Sequence, residues 1–395
     1  MARVLTPAEL QAGQLTQARS LHFIQAFRLV TGLVILLGSI VSMLGVSWDI
    51  QWHTFVGRDR TLIPPHLMML SGIALAGLTA MIVVFAETLW TRRQQQLTAQ
   101  NTRFADLFYG PLGAYIAGFG ALTAAIAFPL DSYWHALYGI DVSIWAPFHV
   151  MILTGGALAP LGATYMFVSA AQLGSRTNDR RSIWLAYLGA VVALATIMGI
   201  FSFLLADATD NPGFIQFGSV TLNLFPVFSG LLVSWVFVIA AQAIPWRWAA
   251  TAVALGYLFF GALFQVFVPP ATSKLVVIEQ LTYRRELGQF ANLSIVATRF
   301  WSLTPIIVAI LIDLFARRAE KKGWSGRKRL LVFALVSLIG CLPVVVLDPT
   351  LLLELAFYTG VIGFPISMLL GFFGTTLGTW FGLRTARSLQ QLEGR

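Results

Sequence analysis

The chain has 395 residues, 57% of them hydrophobic and only 11% charged, with a formal net charge of +9. A soluble globular protein carries roughly a quarter charged residues, so this composition, with its mean hydropathy of +0.77, points to an integral membrane protein. The basic excess then reads as cytoplasmic-loop Lys and Arg, with no nucleic-acid partner, and one cysteine, Cys341, excludes a disulfide framework, Cys-ligated zinc and an iron–sulfur cluster.

Residues 1–21 are polar and mixed and lack the basic start, apolar run and cleavage site of a secretory signal, so they read as a cytoplasmic tail. His22, beside Arg19 and Arg28, reads as an interfacial side chain. Ten apolar stretches follow, at about 24–47, 62–86, 107–129, 144–171, 183–206, 216–243, 247–268, 298–316, 329–347 and 354–382. Each is near the roughly 20 residues that a helix needs to cross a bilayer. The expected fold is therefore all-α, a polytopic transmembrane helical bundle. Residues 22–206 form a membrane region with duplicated metal-binding hairpins, and 207–395 add transmembrane helices of unassigned role.

Linker charges alternate along the chain. Basic linkers hold Arg92, Arg93 and Arg103; Arg176, Arg180 and Arg181; Arg247; and the run from Arg317 to Arg329. The intervening linkers hold Asp49 and Asp59, Asp131 and Asp141, Asp207 and Asp210, and Asp348. The positive-inside rule then places both termini in the cytoplasm, at a plasma or inner membrane. The 269–297 linker departs from the pattern, with Lys274, Arg284 and Arg285 on the outer side, and is long enough for a small helical cap.

One stretch occurs twice. Trp48 to Leu78 reads WDIQWHTFVGRDRTLIPPHLMMLSGIALAGL, and Leu130 to Leu161 reads LDSYWHALYGIDVSIWAPFHVMILTGGALAPL. With one residue inserted in the second loop, Asp49, Trp52, His53, Gly57, Asp59, Pro64, His66, Met68 and Gly72 align with Asp131, Trp134, His135, Gly139, Asp141, Pro147, His149, Met151 and Gly155. Four of the five histidines fall at matched positions. The pair reads as two metal sites made by an internal duplication.

Asp and His at i and i+4 share one helical face. A loop of about a dozen residues can return the first turn of the next helix to that face, and Pro64 and Pro147 suit its start. Asp49, His53 and His66, and likewise Asp131, His135 and His149, each supply two imidazoles and a carboxylate, leaving a fourth position open. Imidazole suits copper, zinc, iron and nickel, and the carboxylate hardens the site somewhat. Asp59 and Asp141 are candidates to accept the free N–H of a ligating histidine, or are loop-turn residues. Trp52 and Trp134 read as belt aromatics or site walls, and Met68 and Met151 as core. Two rival readings use the same residues: hydrogen-bonded Asp–His staples, and a b-type haem between two histidines, which would not need the acid.

At these residues the chain resembles the C subunit of the copper membrane monooxygenases, the particulate methane and ammonia monooxygenase family. That family carries an Asp-x3-His-x12-His site and a nearby Asn-x3-His-x13-His site. Asp49, His53 and His66 fit the first spacing; His135 and His149 fit the second, with Asp131 where the family has Asn. The resemblance covers about residues 24–171, and residues 183–395 have no counterpart in it. It implies copper at both triads and activation of O2 for oxidation of a small substrate. It further implies an electron donor such as quinol, other membrane subunits and an extracytoplasmic cupredoxin-like partner.

The leading expectation is thus a copper-dependent membrane monooxygenase, or a subunit of one, with its sites near the extracytoplasmic face. The alternatives are a non-catalytic copper or zinc carrier and a structural assembly subunit. The near absence of acids and histidines from the middles of the spans argues against a transmembrane ion path.

Overall fold

The computed structural model describes residues 7–57, 60, 62–93, 101–139, 143–207, 213–284, 288–342 and 350–393. Ten α-helices lie among them: α1 (Pro7–Phe55), α2 (Pro64–Arg93), α3 (Leu112–Tyr138), α4 (Pro147–Thr177), α5 (Arg180–Asp207), α6 (Phe225–Ala243), α7 (Ala249–Ile278), α8 (Thr304–Lys321), α9 (Gly326–Ser337) and α10 (Thr350–Gln390). Two short antiparallel hairpins interrupt them, β1 (Thr102–Phe104) with β2 (Phe108–Gly110), and β3 (Phe214–Phe217) with β4 (Val220–Asn223). The molecule is an all-α bundle. Eight of the helices are long and apolar enough to cross a membrane: α1 to α7 and α10.

A helix satisfies its own backbone, which is why apolar chains of this length adopt it in hydrocarbon. Phe357 is 82% exposed and Val361 93%, an apolar surface that suits lipid rather than water. The stretches expected as the eighth and ninth spans form α8 and α9. Asp313, Arg317, Arg318, Glu320 and Lys321 shorten the apolar run of α8, and the 12 residues of α9 rise only about 18 Å at 1.5 Å per residue. Asp313 is buried because it caps α7. It accepts from the backbone N–H of Ala250 (3.1 Å) and Thr251 (2.8 Å) and from the Thr251 hydroxyl (2.7 Å).

Glycine sets how closely the helices approach. In α1 and α2, Gly38 faces Gly72; in α3 and α4, Gly120 faces Gly155 and Gly113 faces Gly162. A Cβ at Gly155 would lie 2.6 Å from the Gly120 carbonyl oxygen and 2.7 Å from the Ala124 nitrogen. Such crossings let backbones touch where larger side chains would hold them apart. Both hairpins cross at the same place: Gly38 and Gly120 each precede their aspartate, Asp49 and Asp131, by 11 residues. Later in the chain, Gly374 and Gly378, an x3 pair legible in the sequence, press α10 against Val227 and Leu231 of α6.

α5 occupies the centre, with Ala190, Ala193, Leu194 and Ile197 fully buried among α4, α7, α6 and α1. Pro226 stands in the first turn of α6 and does not kink it. α10 does break, at Gly360 (φ +67°), five residues before Pro365. Pro343 lies outside the described residues.

One end of the bundle is closed by a buried arginine whose five N–H donors are all engaged. Arg28 Nε and Nη2 each donate to Glu87 at 2.9 Å, and Nη2 also to Asn101 Oδ1 at 2.8 Å. Nη1 donates to Ser169 Oγ (2.6 Å) and Glu393 Oε1 (2.5 Å). This hub joins α1, α2, α4 and the last described residue. Burial pushes the Glu393 carboxyl above its ordinary range, opposed by the Arg28 charge.

Candidate metal centres

The two triads lie at the other end of α1 to α4. Asp49 is 21 residues beyond Arg28 on one continuous helix, about 31 Å along its axis. Asp49 and His53 sit on the last turns of α1, and His66 on the first turn of α2. Asp131 and His135 end α3, and His149 begins α4. In each hairpin a glycine with positive φ, Gly57 (+74°) or Gly139 (+93°), releases the chain from the helix four residues after the histidine.

The structure brings together all six residues named from the sequence, in two groups of three close enough to hold a metal ion. In the first, Asp49 Oδ1 lies 3.4 Å from His53 Nε2 and 3.1 Å from His66 Nε2. In the second, Asp131 Oδ2 lies 3.4 Å from His135 Nε2, and Asp131 Oδ1 lies 3.3 Å from His149 Nε2. The two Nε2 atoms of the second group are 3.3 Å apart. An ion with N and O ligands about 2.0–2.1 Å away in a tetrahedral arrangement sets those ligands roughly 3.3–3.4 Å from one another. The spacing fits a metal.

Proton positions lead to the same fit. His135 Nδ1 lies 3.0 Å from the Gly139 carbonyl oxygen, and His149 Nδ1 lies 2.9 Å from that of Ser143. A carbonyl only accepts, so Nδ1 carries the proton in each ring, and when the ring is neutral its Nε2 presents a lone pair toward Asp131. In that form two lone pairs and a carboxylate converge, as a metal ion requires. Asp49 Oδ1 and Asp131 Oδ1 are buried, and each faces imidazole nitrogens within ion-pair distance. Burying a carboxylate oxygen is costly unless a positive partner faces it, and an imidazolium or a metal cation among the three atoms supplies one.

The carbonyls that hold Nδ1 were not among the residues singled out from the sequence. Their one visible trace was the alignment of Gly139 with Gly57. Asp59, Asp141 and Asp210, candidate supports or loop acids, lie outside the described residues, as does the side chain of Asp207. Trp52 is neither a belt aromatic nor exposed: it is 2% accessible and packs on Leu275 and Val276. Trp134 is half-buried beside Tyr138 and Phe148. His22 is exposed.

An apolar cluster underlies both sites. It gathers Val46, Met69, Leu70, Ala127, Phe128, Met151 and Ile152 from all four helices, and Phe128 meets the His66 ring at 5.4 Å. His66 of α2 thus stands on an apolar floor to which α3 contributes Phe128.

Comparison with known proteins returned no matching family model, curated protein or solved structure.

Proposed function

We propose that the protein is an integral membrane metalloprotein holding one ion in each triad, copper in both, and that it is a copper-dependent monooxygenase or a subunit of one. The observation that carries the metal reading is the convergence of two Nε2 atoms and a half-buried carboxylate at tetrahedral spacing. Two imidazoles with one carboxylate suit copper, zinc and iron alike. The resemblance in spacing to the copper membrane monooxygenases favours copper over both.

Bound copper would supply the electron transfer needed to activate O2 for oxidation of a small substrate. The chain's own residues do the rest. Asp49 and Asp131 neutralise charge, the Gly139 and Ser143 carbonyls fix the second pair of rings, and the apolar floor excludes water and admits a small apolar molecule. The electrons would come from a donor such as quinol, with other membrane subunits or an extracytoplasmic cupredoxin-like partner completing the assembly. Asp131, where that family has Asn, adds a negative charge and should stabilise the more oxidised ion.

We place both ends of the chain in the cytoplasm and the triads near the outer face, an arrangement that an even number of crossings allows. The Arg28–Glu393 contact supports this, because it brings the first turns of the apolar part of α1 and the residues after α10 to one end of the bundle. The basic linkers lie on that same side by the charge rule.

A second reading, metal transfer without catalysis, draws on the second triad, where the His149 side chain is 26% exposed. His135→Ala separates the two. Loss of O2-dependent oxidation with helical content intact is the expected result. Unchanged turnover would remove the oxygenase reading, and metal exchange without O2 consumption in wild type would establish the carrier.

A further inference from the structure

The two triads match in spacing but not in what holds them. Gln51, between Asp49 and His53 on α1, is fully buried. Its Nε2 donates to the Leu293 carbonyl (2.9 Å), and its Oε1 accepts from the Ile295 N–H (2.8 Å). Gln265 of α7 repeats the pattern one residue earlier: it donates to the Asn292 carbonyl (3.0 Å) and accepts from the Ser294 N–H (2.9 Å). Residues 292–295 are thus strung between two helices by two side-chain amides, each using both of its hydrogen-bonding ends.

Other ties fix the same region to the first hairpin. The Arg284 N–H donates to the Phe55 carbonyl (2.9 Å), Arg60 pairs with Glu279, and Trp52 packs among Leu275, Val276, Leu281 and Tyr283. At the second triad the residue aligned with Gln51 is Tyr133, and it is 63% exposed. Tyr138, beside Gly139, is 62% exposed.

We propose that Gln51 is a positioning residue for the first triad and that residues 279–284 and 288–295 form a brace specific to it. The sites are then inequivalent. The first is rigid and slow to exchange its metal, and the second is open, the one that an outside ligand or metal donor reaches. The inference rests on the metal reading of the triads. It assigns the second half of the chain a part in site geometry.

The test loads the full-length protein with copper and follows exchange against isotopically distinct copper. A His135→Ala background reports the first triad alone, and a His53→Ala background the second. The first triad should exchange more slowly than the second. Gln51→Ala should speed exchange at the first triad by about tenfold or more, the usual scale for lost support around a metal ligand, and leave the second unchanged. Gln265→Ala touches no residue of α1 that bears a ligand, yet should act in the same direction through the same segment. Equal exchange at the two triads would overturn the proposal, as would a Gln51→Ala effect on both alike.

Hydrogen exchange on metal-free protein reads the brace separately. The Ser294 and Ile295 amides should be protected in wild type and lose protection in Gln265→Ala and Gln51→Ala respectively. Wild type that binds no copper while keeping this protection would defeat the metal reading, and the inequivalence with it. Copper binding without the protection would defeat the brace alone.

Discussion

At His135 and His149 one backbone carbonyl apiece decides which ring nitrogen faces the carboxylate. Gly139 supplies one of them from φ +93° and ψ 170°, a region that only glycine occupies at low cost. Nothing lies within 4 Å of a Cβ built there, so Gly139→Ala acts through the backbone alone. It should cost about 1–3 kcal/mol in strain and shift the carbonyl from His135 Nδ1. Measured in a His53→Ala background, copper affinity at the second triad should fall although no ligand has changed; an unaltered affinity would mean that the carbonyl does not orient the ring. If metal holds the triads, chelation should also lower unfolding stability. A site filled at a hundredfold over its dissociation constant contributes about 2.7 kcal/mol. The His53→Ala, His135→Ala double variant should show no such loss in a thermal melt.

The ligands meet only because the helices that carry them pass closely enough, and that depends on the reciprocal glycines. Gly155 touches the α3 backbone, whereas its neighbour Gly156 has open space on its Cβ side. Gly155→Leu should force α3 and α4 apart, at about 1–3 kcal/mol or more, and empty the second triad while the first keeps its copper. Gly156→Leu should change neither. Equal effects of the two substitutions on copper content would show that the crossing does not set the site. The helices and the triads were legible in the sequence because both are local: apolar runs of spanning length, and Asp and His one turn apart with a proline-led return. The β-hairpins were not. Their strands, Phe214–Phe217 and Val220–Asn223, turn at Gly218 and Ser219, but in an apolar stretch they read as the start of a span.

Across the whole molecule, the ties that matter join residues far apart in the chain. Arg28 and Glu393 are 365 positions apart, and Gln51 and Ile295 are 244 apart. No spacing rule reveals such pairs, so the hub and the brace became visible only in the fold. The hub holds together the end opposite the metal centres. Removing one partner of a buried ion pair leaves an uncompensated charge and costs about 3–5 kcal/mol. Glu87→Ala should therefore lower the melting temperature markedly while copper content per folded chain stays the same, since Asp49 lies about 31 Å away. A loss of copper without a loss of stability would contradict this division between a structural end and a metal-binding end.

The measurement that bears most directly on the account is metal content by mass spectrometry, on protein purified gently without chelator, for wild type and for His53→Ala and His135→Ala. About two coppers per chain are expected in wild type, one for each triad, with the loss of one on each substitution. No bound metal in any sample, with the helical fold intact, would leave the triads as structural contacts and contradict it.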